Sequence, residues 1–155
     1  MKIKKITTIF LAEIIMLVFA GCFNSSLTVL PSNPIVFTQY SVSNPKDVND
    51  GYMAIDYNGR TYIPFGTLSG RITKTEINNC LGYIDDGTDN VHVCTLTADP
   101  NEDFLVIICE NTVMDQPTFW RATDTAGQQI SIPGYIDDLG YDYWKSPSAP
   151  ARWPY

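Results

Sequence analysis

His92 and Cys94 are the chain's nearest approach to a nucleophile with its base. An imidazole beside a thiol can draw off its proton and leave a thiolate, and residues two apart on a strand share a face. His92 is the only histidine, which makes it the one candidate for a catalytic histidine. A lone histidine on a strand is more often a hydrogen-bonded structural residue, and no Gly-x-Ser-x-Gly or His-Glu-x-x-His accompanies it. Asp85, Asp86 and Asp89 surround Gly87 in an oxygen-rich turn of the kind that can hold calcium, as do the acidic residues around Pro100. Neither turn has the ligand spacing of an EF-hand, and aspartate is also a good turn former. Asp137-Asp138 is a further carboxylate pair, but neighbouring residues point apart, which ill suits the two-carboxylate chemistry of glycoside hydrolysis. The expectation is no cofactor and no metal site, with calcium as the alternative and Asp85, Asp86 and Asp89 as its first candidates.

Three cysteines follow Cys22, namely Cys80, Cys94 and Cys109. An odd number cannot all pair within the chain. Counting outward from the 85–90 turn places Cys80 opposite Thr95, one residue out of step with Cys94. A one-residue mismatch sends the two thiols to opposite faces, so three free thiols are expected. Trp153 and Tyr155 stand in a proline-rich tail, residues 146–155, where no core is expected. They are candidate binding residues, because tyrosine and tryptophan anchor interfaces and stack on sugars.

These residues sit on a pattern of short strands and turns. Asn58-Gly59 between residues 52–57 and 60–65 predicts a two-residue hairpin, with Tyr57 facing Arg60, Ile55 facing Tyr62 and Met53 facing Pro64. Pro64 has no N–H to give a ladder, which predicts an edge or a strand end there. Residues 35–42 read as one first strand and 43–51 as a polar loop. Residues 67–79 are ambiguous, with Thr73 and Glu76 at capping-box spacing. Strands are expected over 81–84, 91–96, 104–109, 117–122 and 128–132. Residues 104–109 are apolar without alternation, as in a central strand buried on both faces. A short helix starting at Pro133 is expected to end at Gly140. The architecture predicted is mainly β, an antiparallel meander forming a small barrel or sandwich with one short helix; the alternative is an open α+β sheet. The domain boundaries are a leader over 1–21, a tether over 22–34, one β-rich domain over 35–145 and the extended tail.

The composition suits a folded chain, with 45% hydrophobic and 17% charged residues. Removing Lys2, Lys4, Lys5 and Glu13 with the leader, from 10 basic and 17 acidic residues, leaves 7 and 16, a net charge of −9. No Lys/Arg run remains, which argues against nucleic acid as a partner.

Lys2, Lys4 and Lys5 precede an apolar stretch over residues 6–20, and Phe19-Ala20-Gly21-Cys22 closes it with small residues before a cysteine. With Glu13 inside it, the stretch falls short of the about 20 apolar residues of a spanning helix. The segment resembles the signal peptide of a bacterial lipoprotein precursor, and the chain as a whole is similar to small lipoproteins of Gram-positive bacteria. That resemblance implies that Cys22 receives diacylglycerol, becomes the N-terminus and anchors the domain to the extracytoplasmic side of the cell membrane. The functional expectation is a binding or interaction module, its partner another envelope protein or a glycan; the alternative is a hydrolase acting on envelope material.

Overall fold

Asn58 (φ 51°) and Gly59 (φ 76°) supply the two left-handed residues that a two-residue hairpin turn requires. They join β3 (Asp47–Tyr57) to β4 (Arg60–Leu68) with Tyr57 opposite Arg60 and Ile55 opposite Tyr62, the register the sequence predicts. The structure is a computed structural model that describes residues 26–44, 47–110 and 116–145, with backbone alone for 47–50. Seven further strands complete the described fold: β1 (Ile35–Phe37), β2 (Tyr40–Asn44), β5 (Ile77–Ile84), β6 (Val91–Leu96), β7 (Phe104–Cys109), β8 (Thr118–Ala122) and β9 (Ile136–Asp138).

The chain is mainly β, and its strands form one curled mixed sheet, a half-barrel. The strand order is β1-β5-β6-β7-β8-β4-β3-β2, with β9 added to β4. Strands β5 to β8 are the expected antiparallel meander, whereas β1 runs parallel to β5. A flat sheet would hold β1 and β3, six strand spacings apart, at about 29 Å. Instead the rings of Phe37 and Tyr57 lie 6.3 Å apart. Their face is therefore the concave one.

Both faces are buried, and β7 shows why. Phe104, Val106 and Ile108 enter one core with Phe65, Phe119, Tyr143 and Trp144, while Leu105 and Ile107 enter the concave core with Phe37, Tyr62 and Trp120. At about 25 cal/mol per Å² of apolar surface, such two-sided burial makes β7 a large contributor to the fold's stability. Its place near the middle of the strand order matches its unbroken apolar sequence.

Several expected elements are corrected. Residues 35–42 are two strands, because the chain leaves the sheet at Thr38-Gln39 and returns at its opposite end. Gly82 permits this: a Cβ there would come within 1.9 Å of the Ile35 carbonyl oxygen. The 43–51 loop is replaced by a β2–β3 hairpin, in which Ser43 pairs with Gly51. No strand forms over 128–132. The short helix after Pro133 is instead β9, because the edge of β4 beyond Pro64 is open to a partner and residues 136–138 take it. The helical content among the described residues is two 3-10 turns, Thr123–Thr125 and Asp142–Lys145. Thr73 and Glu76 do make reciprocal contacts, with Glu76 N–H donating to Thr73 O (3.1 Å) and Thr73 N–H to Glu76 Oε2 (2.5 Å), but they close a turn rather than start a helix.

Candidate functional site

Pro64 sets the geometry of one surface groove. β3 and β4 pair as far as Ile55 and Tyr62, and the next expected pair, Met53 with Pro64, does not form. A proline has no N–H to offer the ladder. Its carbonyl instead accepts from the Trp144 indole, at 3.3 Å. β4 continues past this point, held by β8 on one side and by β9 on the other. The parting of β3 from β4 leaves an open groove of about 420 Å³. Tyr52 and Trp120, both nearly buried, form its floor with Pro64, and the exposed side chains of Met53, Leu139 and Tyr141 stand around it. Gln39, Thr118 and the phenols of Tyr52 and Tyr141 are among its polar side-chain groups, and no lining residue carries a charge. Tyr52 is fixed by edge-on contacts with Tyr141 (5.8 Å) and Tyr143 (6.0 Å).

His92 is held below the surface at 7% exposure, on the same side of β6 as Cys94 but directed elsewhere. Its Nε2–H donates to Asp89 O (2.9 Å), and its Nδ1 lies 2.5 Å from Thr28 Oγ1. Thr28 also gives its backbone N–H (2.8 Å) and its hydroxyl (2.5 Å) to Glu110 Oε1. Burial pushes the Glu110 carboxyl up, but the Thr28 hydroxyl and amide, the Ser26 hydroxyl and the charge of His92 outweigh it and hold the group below its ordinary value. The arrangement ties the N-terminal segment to two strands of the sheet. Residues 26–30 belong to the stretch the sequence reads as tether, yet Leu27 and Leu30 pack on the core and Thr28 is buried. Both ring nitrogens of the expected catalytic candidate are thus engaged by Thr28 and Asp89, not by Cys94.

Cys80 and Cys94 are directly opposed, contrary to the count outward from the turn. One irregularity in β5, between Cys80 and Gly82, shifts the register by the missing residue. Both thiols therefore point to one face. Cys109, at the opposite parity of β7 from Val106 and Ile108, points to the other. All three are free thiols, as expected, but the register argument for that expectation fails. The neighbouring Cys94 thiol holds the Cys80 pKa below its ordinary value despite burial, while Cys80 and desolvation push Cys94 far up.

The acidic candidates are not gathered. Asp85 Oδ1 accepts from Gly87 N–H (3.3 Å), and Asp86 Oδ1 from the N–H (3.0 Å) and hydroxyl (2.8 Å) of Thr88. Asp138 Oδ1 accepts from Gly140 N–H (2.7 Å). Among the described residues, no three His, Cys, Asp or Glu side chains come together in a group that could hold a metal ion. The acidic 99–103 turn is instead a structural hub. Arg60 reaches the carbonyls of Asn101 and Glu102 (3.0 and 2.9 Å), Asp103 (2.9 Å) and both oxygens of Asp124. The Asp124 hydrogen bonds raise its guanidinium pKa further, against a smaller opposing effect of burial.

Sequence reasoning missed Arg121, 5% exposed and held over the Phe65 and Trp144 rings at 5.3 and 4.9 Å. Burial lowers its pKa, and it donates to Thr125 Oγ1 (2.7 Å) and to the carbonyls of Thr125 (2.7 Å) and Gln128 (3.2 Å). Its strand position between Trp120 and Ala122 gives no sign that an arginine would be inside. Cys22, Trp153 and Tyr155 lie outside the described residues.

These features define a β half-barrel with an uncharged, aromatic-floored groove among its described residues. Comparison of the chain with protein-family models, with curated proteins and with solved structures gives no match. No helix among the described residues is long and apolar enough to cross a membrane.

Proposed function

We propose that the protein is a lipid-anchored extracytoplasmic binding module, tethered through Cys22, whose ligand is an uncharged, largely apolar segment of another envelope protein received in the groove between β3 and β4. The observation that carries this reading is the concentration of exposed apolar surface. Of the seven large hydrophobic residues exposed on the described surface, Met53, Leu139 and Tyr141 surround this one groove. Exposed apolar surface gathered around a recess is the usual mark of a binding surface. A chain of net charge −7 that keeps one groove free of charged side chains favours a neutral ligand there. The apolar rim of Met53 and Leu139 favours a protein segment over a sugar.

The test is site-specific photo-crosslinking of the full-length chain in its own membrane. A photoreactive residue at position 53, 139 or 141 should give one discrete adduct that is lost when Trp120→Ala empties the floor of the groove. The same residue at position 86, on an exposed turn, should not give it. Equal labelling at position 86, or no adduct at any groove position, would overturn the assignment.

A further inference from the structure

The paired thiols carry an inference that is independent of the groove. Cys80 and Cys94 occupy directly opposite positions on antiparallel strands. Such positions place Cα atoms about 4.5–5.5 Å apart, inside the 4.4–6.8 Å range that a disulfide spans. Cβ atoms across such a pair lie about 4.5–5.5 Å apart, against about 3.5–4.5 Å in a disulfide. The strands must therefore draw together by up to roughly 1 Å. A bond made under that strain is more easily reduced than a relaxed one.

The surroundings fit a pair that exchanges. β1 covers β5 only from Gly82 onward, so Cys80 lies beyond its end. Cys80 retains 8% exposure and Cys94 none, which makes Cys80 the thiol an incoming reagent meets first. The Cys80 sulfur has no closer backbone acceptor than Val93 O at 3.7 Å and Gly82 O at 4.0 Å. Cys109 projects from the opposite face of the sheet and cannot compete.

We propose that Cys80 and Cys94 are a redox pair, which closes reversibly into a cross-strand disulfide by exchange with a thiol–disulfide oxidant. The Cys80 thiolate attacks one sulfur of the oxidant's disulfide, forming a mixed disulfide and expelling one thiolate. Cys94 then gives up its proton and attacks the Cys80 sulfur, expelling the second. The chain loses two electrons and two protons, and the oxidant leaves as two thiols. Cys80 is the attacking residue and Cys94 the resolving one.

The test equilibrates the full-length chain in glutathione buffers of graded oxidised-to-reduced ratio, blocks free thiols and cleaves at the aspartates of the 85–89 turn, which separates the two cysteines. The expected product, rising with the ratio, is the Cys80 peptide linked to the Cys94 peptide, with Cys109 still alkylated. Cys94→Ser should leave a glutathione adduct on Cys80, and Cys80→Ser should leave Cys94 unmodified. The unmutated chain decides the matter even if a variant misfolds. Absence of the linked peptide at every ratio, or linkage of either cysteine to Cys109, would overturn the proposal. A glutathione adduct on Cys94 in place of Cys80 would overturn the assignment of roles.

Discussion

Thr28→Val tests whether the buried contact with His92 and Glu110 holds the N-terminal segment to the sheet. Valine has nearly the same shape as threonine, so no cavity opens, and what is lost is the hydroxyl. That hydroxyl lies 2.5 Å from both Glu110 Oε1 and His92 Nδ1. A hydrogen bond to a charged group contributes about 1.5–3 kcal/mol, and a buried nitrogen left without a partner costs about 1–3 kcal/mol. Part of the first is retained, because the Thr28 amide still reaches Glu110. The expected loss is about 2–4 kcal/mol. It has a ceiling, because the segment can detach instead of dragging the domain down. Detachment forfeits the burial of Thr28 and the partial burial of Leu27 and Leu30, about 1–2 kcal/mol for each half-buried leucine. Two assays separate the regimes. Urea unfolding reads the global loss, and for a domain of this size about 3 kcal/mol lowers the melting midpoint by roughly 10 °C. Hydrogen exchange at the amide of residue 28, and proteolysis in 26–30, read the local one. Thr28→Ser keeps the hydroxyl and should stay within about 1 kcal/mol of the parent chain. If Thr28→Val leaves both midpoint and local protection unchanged, the contact does not hold the segment.

Gly82→Ala should displace β1, since a Cβ there meets the Ile35 carbonyl at 1.9 Å; the loss of Phe37 burial alone predicts about 2–3 kcal/mol. The amide of Asp85, which donates to Phe37 O at 3.1 Å, should lose exchange protection, and an unchanged Asp85 would contradict the docking of β1. Acidification should expose Glu110. Its pKa in the folded chain is lowered, so its contribution is complete above about pH 4.5 and is lost as pH falls through the lowered value. The stability advantage of the parent chain over Glu110→Gln should therefore shrink as pH falls below about 4.5; an advantage that grows would reverse the sign. Asp99, whose pKa burial raises, acts in the opposite direction in both chains and cancels in this comparison. Cys22→Ala should abolish acyl labelling and leave an unprocessed precursor, whereas normal maturation of that variant would rule out the anchor.

What was legible in the sequence was local. Asn58-Gly59 specified a turn whose backbone demand only such residues meet, and the hairpin register followed for three pairs. The unbroken apolar run of β7 announced burial on two faces. What was missed depended on distant partners. Nothing in residues 35–42 marks Thr38-Gln39 as the point where the chain leaves one edge for the other, because the reason lies at Gly82. Ile136-Asp137-Asp138 has little strand character and pairs because β4 presents an open edge. The cysteine register failed because counting assumes a regular ladder, and an irregularity in β5 between Cys80 and Gly82 falls between the turn and the pair. Pro64 predicts an edge or a strand end; β4 runs on to Leu68, and the proline marks a local edge where β3 departs. The groove was invisible as a site, since its residues come from β3, β4, β8 and the chain after β9. His92, Thr28 and Glu110 are separated by 64 and 82 residues along the chain.

The strand order also dictates when the domain can exist at all. Read along a chain made from its N-terminus, β2, β3 and β4 can assemble at once, each beside its successor. β1 cannot, since its partner β5 is still to come, and β5, β6 and β7 then build a second patch with β1 at its margin. Through β7 the chain holds two separate three- or four-stranded patches with no pairing between them. β8 is the piece that joins them, paired on one side with β7 and on the other with β4. Five residues, Thr118–Ala122, therefore decide whether two fragments become one sheet. A chain stopped short of them should be unable to finish folding however well its first hundred residues are made, and the two exposed edges waiting for β8 would be its points of aggregation.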